Sequence, residues 1–430
     1  MAPAEGEHTL SAADKRSSAK NCYSLRSVEM ETVDEAFMAE WREFSEARPA
    51  TSELQDPEWL RWYYKGQPNV AFHEKNDIAV YALYANGQLC GVAAFIRRMW
   101  PLYCQLGEFT LAKFPLRRFR LIGGTPDFPE DPAAYDLLFT ELANQLSAHA
   151  GDFDTLYLDG IPLDSFLWTY LQDSRVIRNR FFAYQPDSAK PHLLLRLAGS
   201  FQDYMGKFSA KHRKNINREI KTLRSGALGE FQFVRYELPE DVPTFLEQAV
   251  ELSKKTYQWT LLHRGLDDPN LLRHRLPLLA KRGWFRSYLL FCGGKACAFL
   301  LGYQCHGKFL FFEIGYDPAL ASYSVGTVMQ FLAVEDLFNH NRPEVMDLGT
   351  FDRYKEVLST EKYFQSSLFL FPRNARARLM RTSHHGLLVT NRALSALLDR
   401  FNLKSKLRKW MRVVGRLPTA LGLGWRGWSD

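Results

Sequence analysis

Residues 81–95 read YALYANGQLCGVAAF, and residues 288–302 read YLLFCGGKACAFLLG. The two segments align without a gap, 207 positions apart. Each is an apolar run, a two-residue turn signal and a second apolar run. Asn86-Gly87 and Gly293-Gly294 suit the tight hairpin turn, whose central residues both take positive φ. The flanking runs therefore predict the strands of a buried hairpin, made twice.

The surroundings of the two hairpins agree. Before the first, 31–47 reads as a helix, with Val33, Phe37, Trp41 and Phe44 at helical spacing. Asp56-Pro57 opens a second helix as N-cap and first-turn proline. After that hairpin, 132–149 predicts a helix and 153–158 an apolar strand. After the second hairpin come a strand at 307–316, a helix at 325–338, a strand at 345–348 and an apolar strand at 361–371. A helix that feeds a continuously apolar strand points to a sheet covered on both faces. The expectation is an internal duplication of one α/β unit.

Composition bounds the rest. The chain has 430 residues with a net charge of +7, 46% hydrophobic and 24% charged residues, which excludes a collagenous, coiled-coil or mostly disordered protein. Six cysteines without a CxxC pair argue against a disulfide scaffold. No uncharged apolar run is long enough to span a bilayer, and the first twenty residues lack a signal-peptide core. The expected setting is cytoplasmic. From Phe371 onward, 13 Lys and Arg face only Asp399 and Asp430, a net of +11, so residues 1–370 carry −4.

Four places carry candidate chemistry. Tyr316 ends a strand, and Tyr323-Ser324-Val325-Gly326-Thr327 opens the following helix, where free N–H groups and the helix dipole suit a pyrophosphate. Glu313 lies on the strand among Phe309, Phe311 and Ile314, and alternation puts it on the face of Phe309 and Phe311. It is a buried general base or one half of a structural ion pair. Residues 347–355, DLGTFDRYK, follow a strand end, where ligands sit in α/β sheets; Tyr354 is placed to donate a proton and Lys355 to neutralise a phosphate, beside Asp347. On 208–224, Lys211, Lys214, Arg218 and Lys221 form one helix side, while Arg213 projects beside Ile220 and needs an anionic partner. Cys292, Cys297, Cys305 and His306 lack metal-ligand spacing, and no metal is expected.

The stretches FSAKHRKNINREIKTL, EIGYDPALASYSVGTVMQFLAVEDL and MDLGTFDRYKE, with LQDPEWLRWYY before the first hairpin, resemble the CelD/FemAB-like branch of the GNAT acyltransferases, also known as the BioF-associated acetyltransferase branch. The resemblance covers about residues 30–371. It implies an α/β (α+β) fold of two tandem GNAT-like domains. The boundaries are a flexible tail at 1–20, domains at 21–195 and 196–372, and a basic amphipathic helical tail at 373–430. The implied reaction moves an acyl group from a thioester, usually acetyl-CoA, to an amine of an amino sugar, nucleotide sugar or exopolysaccharide precursor. Tyr316 and Tyr323–Thr327 map onto the donor pyrophosphate loop, here with the single glycine Gly326. Glu313 would accept the amine proton, and N–H groups near Gly315–Asp317 would polarise the carbonyl, which places Asp317 in the catalytic set. Tyr354 would protonate the thiolate, and Arg213, Lys355 and Asp347 would hold the acceptor.

Two other readings share these residues. One is a FemAB-like transferase using aminoacyl-tRNA, the only case in which nucleic acid is a partner; the other is a lapsed scaffold docked on a membrane complex. In the tail, Leu407, Trp410, Met411, Val414 and Leu417 make an apolar stripe ringed by lysines and arginines. That stripe either packs on the body or lies on the anionic inner face of the membrane.

Overall fold

The structure is a computed structural model, and it describes residues 22–48, 53–65, 77–106, 109–148, 153–256, 266 and 269–400. The tail stripe expected from Leu407 to Leu417 lies outside the described residues.

The first half runs β1 (Tyr23–Glu29), α1 (Glu35–Glu46), α2 (Pro57–Lys65), β2 (Asp77–Ala85) and β3 (Gln88–Met99). Next come β4 (Leu102–Leu106), β5 (Phe109–Phe114), β6 (Arg117–Leu121), α3 (Pro132–Ala148) and β7 (Thr155–Pro162). It closes with α4 (Phe166–Asp173), α5 (Arg175–Arg180), β8 (Phe181–Tyr184) and β9 (Lys190–Arg196). The second half runs α6 (Phe201–Gly206), α7 (Ala210–Arg224), β10 (Phe231–Tyr236), α8 (Asp241–Lys255), α9 (Pro269–Lys281), β11 (Ser287–Cys292), β12 (Lys295–Cys305) and β13 (Lys308–Tyr316). A short 3₁₀ turn (Pro318–Tyr323) then leads to α10 (Val325–Asn339), β14 (Val345–Thr350), α11 (Arg353–Leu358), β15 (Glu361–Pro372) and α12 (Ala375–Arg400).

The repeat holds at the level of hydrogen-bond register. Tyr81 pairs with Ala93, and Tyr288, 207 residues on, pairs with Leu300, the counterpart of Ala93. Both hairpins shift register at the same point, between Leu83 and Tyr84 in one and between Leu290 and Phe291 in the other. Both turns take the expected backbone, with φ of 52° and 82° at Asn86-Gly87 and 58° and 75° at Gly293-Gly294. Two unrelated hairpins have no reason to place a bulge at equivalent positions.

The halves exchange their closing strands. β9, which trails the first half, pairs antiparallel with β14; β15, which trails the second, pairs antiparallel with β7. β9 and β15 also pair with each other, so the central order is β7-β15-β9-β14 within one 13-stranded sheet. β9 spans Lys190–Arg196 and thus crosses the 195/196 position, so the chain changes halves in mid-strand. The antiparallel pair β4-β5 forms a separate small sheet, inserted where the second half has none.

In the second half, one face of the sheet is covered by α6, α7 and α10 over a core of Leu290, Leu300, Phe309, Phe311 and Leu348. The other face is covered by α8 and α9 over Leu289, Phe299 and Leu301. α10 is apolar on nearly every side and is buried accordingly. Its C-terminal end is held by Arg286, 2% exposed, whose guanidinium pairs with Asp336 at 2.8 Å and donates to the carbonyls of His340 and Asn341 at 2.8 and 2.9 Å. A cation there satisfies orphan carbonyls and opposes the negative end of the dipole. The helix is thereby fixed from its far end, with its N-terminus aimed at the strand ends.

The start of the basic tail packs on the body. His384, 2% exposed, bonds Tyr184 Oη through Nδ1 at 2.6 Å and the Tyr103 carbonyl through Nε2 at 3.1 Å, which docks α12 on β8 and β4. Among the described residues, no helix is long and apolar enough to cross a membrane.

Candidate active site

A cleft opens where two neighbouring strands part. The parallel pair β13 and β14 stays in register only at Lys308–Val345, Phe309–Met346 and Leu310–Asp347. β13 then continues to Tyr316 along β12 alone. In the first half, the turn after β6 runs beside β7: a Cβ on Gly124 would sit 3.4 Å from the Asp159 carbonyl oxygen and 3.5 Å from that of Gly160.

A bulge shapes the wall of the cleft. Leu301 pairs with Glu313 while Gly302 pairs with Phe311, so Phe312 is the extra residue. Two residues against one reverses the alternation beyond it. Glu313 therefore does not share the face of Phe309 and Phe311, as simple alternation predicts. It lies opposite Leu301, on the α8–α9 face, and is half-buried there. Ile314 takes the other face and packs with Phe309 and Phe311.

The Asp317 N–H donates to the Cys297 carbonyl at 2.9 Å, so that group is spent on the ladder. Antiparallel alternation then turns the N–H groups of Ile314 and Tyr316 towards the open side. The Asp317 side chain accepts from Lys255 Nζ at 2.9 Å and from the Ala319 N–H at 3.0 Å, and the Lys255 bond holds its carboxyl below the usual range. Asp317, expected in the catalytic set, is an ion-paired turn cap, because both carboxylate oxygens are already engaged.

Ser324 precedes α10 in the left-handed region, at φ 53° and ψ 33°. That conformation turns its side chain away from the capping position, and no side chain caps the helix. The N–H groups of Val325, Gly326 and Thr327 therefore head the helix without a side-chain acceptor. A Cβ on Gly326 would sit 2.8 Å from the Tyr316 ring, so glycine here admits that ring against the helix start. Tyr323 is half-buried against the same core.

Across the cleft, on the α10 side, the Tyr354 ring lies 6.4 Å from the Phe311 ring. Burial, reinforced by Asp352 and Glu313, pushes its phenol well above the usual value. Lys355 Nζ lies 5.5 Å from the Phe311 centroid, and burial lowers its pKa. The short helix α11 that carries both is pinned at its end by Lys207, whose Nζ donates to the Leu358 and Ser359 carbonyls at 2.6 and 2.9 Å. Burial brings the Lys207 ammonium down to about 8. The cleft thus has a carboxylate on one face, a protonated phenol on the other and open backbone donors between them.

Residues 210–356 match the family model of the acetyltransferase (GNAT) domain, and that segment contains every wall of this cleft. This segment of the chain is a GNAT-type acetyltransferase domain. Among solved structures, it is similar in fold to FemX, at 11% identity with a TM-score of 0.57, over 83% of this chain and 100% of that one. A tandem GNAT protein from the clavulanic acid biosynthesis pathway matches at 10% identity and a TM-score of 0.44, over 82% and 99% of the two chains. L-PGS from Bacillus licheniformis matches at 13% identity and a TM-score of 0.43, over 81% and 98%. No curated protein matches the chain.

The remaining expected residues divide. Asp347 sits at the vertex of the cleft, the last residue to pair with β13, and accepts from the Gly349 N–H at 2.8 Å. Its Oδ1 also lies 2.7 Å from His192 Nε2, and the His192 ring stacks on Tyr363 at 4.7 Å. His192 comes from β9, and no local sequence signal links it to Asp347, 155 positions away. Arg213, expected to meet an anionic partner, donates through Nη1 to the backbone carbonyls of Phe208 at 2.5 Å and Gly206 at 3.5 Å. It lines a separate cavity of about 370 Å³ with Phe201, Ile220, Lys221 and Glu335, which shares no residue with the cleft.

Proposed function

We propose that the protein transfers an acyl group from an acyl-CoA, with acetyl-CoA as the simplest donor, to the amine of an amino sugar or related cell-envelope or exopolysaccharide precursor. The observation that carries this reading is the parted β13–β14 pair, with Glu313 on one face, Tyr354 on the other and the uncapped start of α10 at its mouth.

In this reading the N–H groups of Val325–Thr327 take the donor pyrophosphate, with Tyr316, Tyr323 and Ser324 around it. The open N–H groups of Ile314 and Tyr316 polarise the thioester carbonyl. The amine nitrogen attacks the carbonyl carbon; Glu313 accepts its proton, directly or through water. As the C–N bond forms, the C–S bond breaks, and Tyr354 gives its proton to the departing thiolate. Lys355, desolvated beside Phe311, holds an anionic group near the mouth. Asp317 fixes the loop and takes no proton.

Acetyl-CoA should stabilise the full-length protein by about 2.7 kcal/mol at a hundredfold excess over its Kd. A thermal-shift titration with acetyl-CoA and longer acyl-CoAs checks this. A flat response to every acyl-CoA sinks the donor assignment. Activity that disappears on RNase treatment would favour aminoacyl-tRNA as donor instead.

A further inference from the structure

Arg275 stands out among the arginines of its neighbourhood. Arg282 pairs with Asp56, Arg286 with Asp336, and Arg235 with Asp336 and Glu237. Arg275 pairs with no carboxylate among the described residues. Its Nη2 donates to the neutral Tyr303 hydroxyl at 3.3 Å, and its Nε is buried without an acceptor. Three aromatic rings wall the guanidinium: Trp59 at 4.4 Å, Phe312 at 5.3 Å and Tyr303 at 5.4 Å from its central carbon. A guanidinium offers five donors, and these contacts satisfy only one of them with a hydrogen bond.

The position carries the chemistry. Phe312 is the bulge residue next to Glu313, and Arg275 packs on the same sheet face that Glu313 occupies. Trp59 comes from α2 of the first half, which the Asp56–Arg282 pair ties to α9. The site is therefore built by both halves, beside the carboxylate that would receive the amine proton. We infer that Arg275 is the receptor for an anionic group, phosphate or carboxylate, on the acyl acceptor. A planar guanidinium binds either group bidentately, and aromatic walls hold its plane while excluding water.

This inference rests on the acyltransferase reading above, and its test separates the two. Calorimetric titration of the full-length protein, saturated with CoA, compares glucosamine, glucosamine 6-phosphate and 2-amino-2-deoxyglucuronic acid. The wild type should bind at least one charged sugar about tenfold tighter than glucosamine; which one it prefers identifies the anion. Arg275→Gln should abolish that preference and Arg275→Lys should keep part of it, while both retain the wild-type thermal response to acetyl-CoA. Equal affinity for charged and neutral sugars in the wild type overturns the inference. So does an Arg275→Gln variant that keeps the preference. A wild type with no CoA response but a clear charge preference contradicts the donor reading and leaves Arg275 in place.

Discussion

Glu313→Gln should lower the turnover of acyl transfer by about 10²–10⁴-fold, the usual contribution of a positioned general base. The substitution keeps the shape and removes the proton acceptor, so acetyl-CoA binding should change by no more than about twofold. The expectation follows from the bulge at Phe312, which puts Glu313 on the α8–α9 face, where the acceptor is proposed to bind. Single-turnover acylation, with donor binding measured in parallel, checks both halves of the claim. Turnover within about threefold of wild type would remove Glu313 from the mechanism.

Tyr354→Phe should lower turnover by about 10²-fold with acyl-CoA donors, because the thiolate then departs without its proton. Burial holds the phenol above its ordinary value, so it stays protonated across the working range. The ratio of wild-type to variant rates should therefore be flat from neutral pH to the ordinary tyrosine pKa of about 10. An aryl thioester, whose leaving group is stable without a proton, should restore the variant to wild-type rate. A deficit that persists with that donor would mean that Tyr354 acts by packing on Phe311 rather than by proton transfer.

The sequence announced its repeat because hairpins declare themselves locally. Asn86-Gly87 and Gly293-Gly294 take the positive φ that their turns need, and the flanking runs are apolar on both sides. Asp56 was equally legible as a helix cap: it accepts from the Trp59 N–H at 2.8 Å. The cluster from Asp347 to Lys355 also falls at a strand end, as its glycine and polar run suggested.

What failed were the readings that depend on partners distant in sequence. A bulge is set by the neighbouring strand, so alternation within β13 alone gave Glu313 the wrong face. The pairing of His192 with Asp347, and of Trp59 with Arg275, exists only because the halves exchange strands and pack together.

The central claim is that the space between β13 and β14, rather than its counterpart in the first half, holds the acyl donor. Hydrogen exchange of the full-length protein with and without acetyl-CoA tests it most directly, because the uncapped N–H groups of Val325–Thr327 and the open N–H groups of Ile314 and Tyr316 should exchange freely without ligand. Acetyl-CoA is predicted to slow exchange across residues 314–327 and to leave the Gly123–Gly124 turn unchanged. Unaltered exchange over 314–327 in CoA-saturated protein, or protection at Gly123–Gly124 instead, would contradict the account.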